Sequence, residues 1–279
     1  MDRLETRELA YFLAVADELH FTRAAAGLGI AQPALSKAIR QLERRLDVKL
    51  LDRGSRTVTL TPAGRVLASE ARYALDAVSA AARRTQRAGD RTPGLILAMK
   101  AGGDAGLLPA ILAAYEREPQ SLPVRVVFGA DHAQLLRDGQ ADAALLHDFD
   151  DLRGFDTELL LTEPPMAVLP ASHRLAGRAS VSMVELRDEE IHRRTDKPGV
   201  GSLSELMQLI ALGQKIAVLP RWLTTPLRED LVSVPVTDIP PSTLLLAWPA
   251  HSTSLPVAAL ARAAAAVIRP SAVVSSTIT

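Results

Sequence analysis

Between Gln32 and Arg44 the chain places two kinds of side chain on opposite sides of one helix. Leu35, Ile39, Leu42 and Leu46 recur at intervals of four, three and four, which makes one apolar stripe. Ser36, Lys37, Arg40, Gln41 and Arg44 are assigned to the other side, and all are hydrogen-bond donors. Donors in this arrangement suit the edges of nucleic-acid bases. A helix fits the major groove of duplex DNA, Gln can pair with adenine through two bonds, Lys or Arg with guanine, and Ser with either. Gln32, Ser36, Lys37 and Arg40 are therefore candidate base or near-base contacts. Pro33 suits the first helical position, where an N–H would have no intrahelical partner. The helix alone also fits a bland reading, a solvated basic face, and its neighbours must decide.

Several local elements are expected to hold this helix in place. Residues 4–19 read as a first helix with Leu9, Phe12, Leu13 and Ala16 inward. Thr22 is the expected N-cap of a second, short helix, or else a phosphate contact at its start. Gly27 and Gly29 mark the turn out of it. Beyond the basic helix, Lys49–Leu60 alternates with period two, Val58 and Leu60 opposite Thr57 and Thr59, around a turn at Arg53-Gly54-Ser55-Arg56. A hairpin tip with two arginines suits phosphate or minor-groove contact. Thr61-Pro62 then opens a long helix to about Ala88. Along it Leu67, Ala71, Ala74, Val78, Ala81 and Thr85 are spaced as the seam of a helix that pairs with another.

The run Ala24-Ala25, Gln32-Pro33-Ala34-Leu35-Ser36, Ile39, Leu42-Glu43, Leu46, Leu50-Leu51-Asp52-Arg53 and Leu60-Thr61-Pro62-Ala63-Gly64 resembles the winged helix-turn-helix of LysR-type transcriptional regulators. The resemblance spans about residues 4–90. It implies a DNA-binding face of Thr22, Gln32, Pro33, Ser36, Lys37, Arg40, Arg53 and Arg56, with Arg53 also able to support the wing. It also implies that the long helix joins two subunits in antiparallel fashion. Three positions depart from the family pattern: Ala31 where a hydroxyl residue is common, Asp47 where glycine is usual, and Leu51 where phenylalanine is usual. Asp47 is expected to end the helix in a left-handed conformation.

The 279 residues suffice for two domains. Cys is absent, no apolar run reaches membrane-spanning length and no secretory signal opens the chain, so a cytoplasmic protein is expected. A net charge of zero hides an asymmetry: residues 1–92 carry 16 Lys and Arg against 11 Asp and Glu, and residues 93–279 carry 16 against 21. That pattern suggests nucleic acid bound at one end only.

From Pro93 short apolar runs alternate with helical stretches, an α/β signature. Strands are expected at Leu95–Met99, Val124–Phe128, Ala143–Leu146, Met166–Leu169, Ile216–Leu219 and Leu244–Trp248. Helices are expected at Leu107–Glu116, His132–Arg137, Leu203–Leu212 and Val257–Ile268, with Glu185–Ile191 as a further element and residues 270–279 frayed. Leu135–Leu145 matches one signature of the family's effector region, and Leu209–Pro220 a second in which only Gly213 remains of a glycine pair. The fold expected from the resemblance is α+β multidomain. A winged helix-turn-helix (1–61) and linker helix (62–92) precede a periplasmic-binding-protein-like α/β effector domain (93–279). Its subdomain I would span about 93–162 and 240–269, and subdomain II about 163–239, shortened between Ile191 and Leu206.

In such a fold ligands lie at the carboxyl ends of strands. Ala101, Gly102, Gly103 and Asp104 lead the candidates, then Phe128 and Gly129, then His147. Arg193 and Ser202 come from the other subdomain, with Arg194 and Ser204 beside them. A small-molecule carboxylate suits free N–H groups at helix starts; the plain alternative is turns and surface charges. The six histidines read as scattered, with neither a metal nor another cofactor expected, and no hydrolase or phosphate-loop motif occurs. The expected function is a non-enzymatic regulator that binds an interrupted inverted repeat of double-stranded DNA as a homodimer or homotetramer. The rival is a small-molecule binding and dimerisation module whose DNA binding is weak or lost.

Overall fold

The structure, a computed structural model, describes residues 4–53, 58–89, 93–129, 131–192 and 202–268. The chain forms two compact units, Met1–Arg91 with Arg137–Gln140, and Thr92–Leu136 with Ala141–Thr279.

In the first unit, α1 (Thr6–Glu18) begins where the Glu8 carboxylate accepts the Glu5 N–H at 3.0 Å. Helix α2 (Phe21–Gly27) is capped by His20, not Thr22. The extended backbone of His20 aims its Nδ1 at the Arg23 N–H, 3.3 Å away, which leaves Thr22 exposed inside the first turn. Helix α3 (Gln32–Leu46) starts one residue before Pro33, so the proline occupies the second position, where an N–H also lacks an intrahelical partner. Ala31 supplies no side-chain cap, and Asp47 closes the helix in the left-handed region at φ 54° and ψ 33°. Leu35, Ile39 and Leu42 are fully buried against Phe12, Val15, Ala24, Ala25 and Leu50, while Leu46 is half-buried at the margin. In α1 it is Val15 that joins Leu9, Phe12 and Ala16 in the core, and Leu13 is half-buried.

The wing is a two-stranded antiparallel hairpin, β1 (Leu51–Arg53) with β2 (Val58–Leu60), Leu51 opposite Leu60. Residues 54–57, including Arg56, lie outside the described residues, and of Arg53 only the backbone is described. Helix α4 (Pro62–Ala88) is capped as its sequence requires: Thr61 Oγ1 accepts the Gly64 N–H at 2.9 Å and donates to the Lys49 carbonyl at 2.7 Å. Along its seam Leu67 and Ala71 pack into this unit, but Ala74, Val78, Ala81 and Thr85 are exposed.

The second unit holds two sheets. Strands β3 (Leu95–Met99), β4 (Val124–Phe128) and β5 (Ala143–His147) run parallel, and β6 (Phe155–Glu163) was not anticipated. Next come β7 (Pro165–Pro170), β8 (Ala217–Pro220), β9 (Leu231–Pro235, also unanticipated) and β10 (Ser242–Pro249). The first sheet has the order β4-β3-β5-β10-β6, with β10 antiparallel to both neighbours; the second is antiparallel β8-β7-β9. Helices α5 (Leu108–Tyr115), α6 (His132–Arg137), α7 (Leu203–Ala211) and α8 (Leu255–Ile268) follow the expected order. Alternate residues of the first sheet pack on its two faces: Leu95, Leu97 and Leu145 share a cluster with Ile111 and Leu260, while Ile96, Ala98 and Leu146 share one with Leu136. Residues 185–191 form turns rather than a regular element, tied down by single bridges at Val181 and Ile191. Two links join the sheets: Pro164 alone between β6 and β7, and residues 236–241 between β9 and β10. Both leave the first sheet where Ser242 pairs with Glu163 and Leu244 with His147, at the carboxyl end of the parallel strands.

Candidate functional site

On α3 the side chains of Gln32, Lys37, Arg40, Gln41 and Arg44 are exposed, as is the Pro33 ring. Spacings of three and four put residues 37, 40, 41 and 44 on one face, one turn beyond Gln32 and Pro33. Ser36 departs from the expected outward position. It is 8% exposed, and its hydroxyl accepts a bond from Arg40 Nη1 at 3.2 Å. Its place next to Leu35 turns it into the groove between helix and core, where it can steady Arg40. Glu43, two turns further, is buried as well, its Oε1 accepting the N–H groups of Leu50 at 3.0 Å and Leu51 at 3.3 Å. The helix thus carries an outward cationic face and an inner carboxylate that grips the start of the wing.

In the second unit, three of the expected loops leave adjacent parallel strands at one edge. Ala101 and Gly102 are exposed after β3, Gly102 at φ 71°; Gly103 is buried, and a Cβ there would stand 3.0 Å from the Lys100 carbonyl. Asp104 is half-buried and its carbonyl accepts the Leu107 N–H. After β4, Phe128 is exposed and the Gly129 N–H reaches the Met99 carbonyl at 3.3 Å, joining the first two loops. His147 ends β5 and is buried. Ser202 does another job: its hydroxyl caps α7 by accepting the Glu205 N–H at 3.1 Å. Ser204 is exposed, while Arg193, Arg194 and the other residues of 193–201 lie outside the described residues.

Around His147 the structure assembles residues that linear spacing did not connect. Its ring stacks with Phe149 at 4.8 Å and with Trp222 at 5.8 Å between centroids. Trp222 belongs to the short 3-10 turn Arg221–Thr224 that follows β8, so the second sheet's chain closes over the end of the first. His132, the first residue of α6, brings its ring within 6.3 Å of His147, and Asp150 stands beside both. The six histidines are therefore not all scattered, because His132 and His147 meet in the fold. The only sequence signal was the three-residue step from His147 to Asp150, since His132 arrives from another element.

A winged helix-turn-helix followed by two α/β sheets with their connections at one end is the architecture of a ligand-responsive DNA-binding regulator. The family model for bacterial regulatory helix-turn-helix proteins of the lysR family matches residues 6–65, and that for the LysR substrate binding domain matches residues 95–202. The chain is 30% identical over 284 residues to the uncharacterized regulator YnfL of Escherichia coli (strain K12), covering 91% of this chain and 95% of that protein. It is 34% identical over 191 residues to the regulator AlsR of Bacillus subtilis (strain 168), covering 67% of this chain and 63% of AlsR. Among solved structures, a point mutant of full-length BenM matches with a TM-score of 0.52 at 26% identity, over 96% of this chain and 97% of BenM. CbnR, a LysR-family regulator, shares the fold with a TM-score of 0.56 at 18% identity, over 95% of this chain and 99% of CbnR. The chain belongs to the LysR family of transcriptional regulators, with a DNA-binding helix-turn-helix domain and an effector-binding domain. Its relatives are transcriptional regulators, and among the described residues no helix is long and apolar enough to cross a membrane.

Proposed function

We propose that this chain acts as a symmetric dimer, or a dimer of dimers, that reads an interrupted inverted repeat with α3 in the major groove. The observation that carries this reading is the division of α3: the apolar side is buried to Leu42, while Gln32, Lys37, Arg40, Gln41 and Arg44 stay exposed. Gln32 and Lys37 read base edges, Arg40 is held by Ser36, and Thr22, Arg53 and Arg56 contact phosphates. The exposed second half of the α4 seam supports pairing of two copies through residues 74–85. Residues 1–61 form the DNA-binding domain, 62–92 the linker helix and 93–279 the effector domain. The small sheet β8-β7-β9 supports the reading of a second, shortened subdomain.

The effector, a small carboxylate, sits at the carboxyl ends of β3, β4 and β5 among the loop 101–104, Phe128, Gly129 and His147, beneath Trp222. Arg193, which lies outside the described residues, is the cation that the sequence offers for it, and Ser202 acts through its helix cap. The protein works in the cytoplasm and is not an enzyme. Titration of labelled intergenic DNA from the gene's own neighbourhood, at several salt concentrations, tests this. Saturable binding with a sequence preference supports the regulator, and indifference to all DNA at low salt supports the rival, a binding module that has lost its DNA partner.

A further inference from the structure

His132, His147 and Asp150 form a buried cluster at the end of β5. His132 is 5% and His147 4% exposed, and the Asp150 side chain is 8% exposed. His132 Nε2 lies 3.6 Å and His147 Nδ1 3.5 Å from Asp150 Oδ2, and the three possible ligand atoms all lie within 4.8 Å of one another. Both nitrogen–oxygen separations are too long for good hydrogen bonds. They match the spacing of two donors on one tetrahedral cation, about 3.3–3.5 Å for bonds of about 2.0–2.1 Å. Both ring nitrogens of His132, and Nε2 of His147, are buried with no hydrogen-bond partner among the described residues. Buried imidazoles ordinarily satisfy their nitrogens, so this cluster asks for a partner.

We propose that His132, His147 and Asp150 bind a divalent first-row transition cation of the zinc class. Two imidazoles and one carboxylate suit zinc, cobalt or nickel rather than magnesium or calcium, which prefer oxygen. Three protein donors leave one position for water or for an oxygen of a small ligand. The surroundings fit a metal shell. The Asp150 carboxylate is oriented by the His147 N–H at 2.9 Å, and the stacked rings of Phe149 and Trp222 fix the His147 plane. The site goes beyond the effector reading, because the cation binds whether or not a carboxylate does.

The test uses the full chain without an affinity tag, stripped with a chelator and titrated with Zn2+ by calorimetry. Co2+ serves as a visible-absorbance probe, and Mg2+ as the control. One saturable Zn2+ per chain and a Co2+ spectrum of low-coordinate type are expected. His132→Gln and Asp150→Asn should each weaken Zn2+ about tenfold or more. His173→Gln, at the separate His173–Glu189 pair, should leave it unchanged. Asp150→Asn keeps an acceptor for the His147 N–H, so it decides the question if His132→Gln does not fold. Absence of saturable Zn2+ in the wild-type chain, or wild-type titration by Asp150→Asn, overturns the assignment. A DNA titration of the stripped sample separates this failure from failure of the regulator reading.

Discussion

Glu43 Oε1 accepts the backbone N–H of Leu50 at 3.0 Å, which makes a buried side chain of α3 the anchor for the first strand of the wing. The Leu51 N–H shares the same oxygen at 3.3 Å, so two backbone donors depend on one carboxylate. Glu43→Ala strands both donors and should lower stability by about 2–3 kcal/mol. Glu43→Gln keeps an acceptor and should cost less. Urea denaturation of the two variants beside wild type measures the difference, and equal losses would show that the acceptor is not what matters.

Gly64 is a further point of close approach in the same unit. A Cβ there would stand 2.0 Å from the Leu50 carbonyl oxygen, a backbone atom that also accepts the Thr61 N–H at 3.0 Å. Gly64→Ala must push α4 away from the wing, and a loss of about 1–3 kcal/mol is expected for overpacking. A melting temperature equal to wild type would show that the helix start can shift without cost.

The α3 surface yields a pair of opposite outcomes. Lys37→Ala should reduce the preference for operator over random DNA by about 1–3 kcal/mol, while Arg56→Ala should weaken all DNA similarly and lower the salt slope by about one. Ser36→Ala should act through Arg40, because its hydroxyl accepts the Arg40 bond at 3.2 Å, and its effect should vanish in an Arg40→Ala background. Gel shifts across a salt series read these variants beside wild type, and an unchanged sequence preference in Lys37→Ala removes that residue from base reading.

Dimerisation is tested on the outer stretch of α4. Val78 is 52% exposed and lies on the α4 seam with the exposed Ala74, Ala81 and Thr85, the stretch we propose pairs two copies. Val78→Glu should shift sedimentation toward the monomer and reduce operator affinity to that of one half-site. A variant that sediments as wild type would move the subunit interface elsewhere.

The pH response has a local marker at Glu185. Hydrogen bonds from the Ser182 N–H, the Ser182 hydroxyl and then Arg178 hold its carboxyl below the ordinary carboxylate range. A depressed folded pKa adds stability above the unfolded value of about 4.3, and that stability is lost as pH falls through the folded value. Glu185→Gln should therefore melt closer to wild type in acid than at neutral pH. A constant gap in melting temperature across that range would show that the contact does not titrate.

Much of this architecture was legible because it is local. The 4-3-4 spacing of Leu35, Ile39, Leu42 and Leu46 predicts which side of α3 turns inward, and Thr61-Pro62 marks the start of α4 to the residue. The left-handed end at Asp47 also follows from the chain alone. Two local choices were decided by closer competition. His20 takes the cap expected of Thr22 because its imidazole reaches the Arg23 N–H from just before the first turn, and Ser36 points inward because it adjoins Leu35.

Pairing between distant segments could not be read from patterns within one segment. Strand β6 carries Asp156, Thr157 and Glu158 near its start, so it has no clean apolar period, and only its register along β10 makes it a strand. The meeting of His132, His147 and Asp150 depends on β5 ending beside the start of α6 and on Trp222 arriving from the second sheet. Side-chain period and capping chemistry act over a few residues and are written in the sequence, whereas burial of a polar cluster depends on which strands pair, and that is settled only when the sheets assemble.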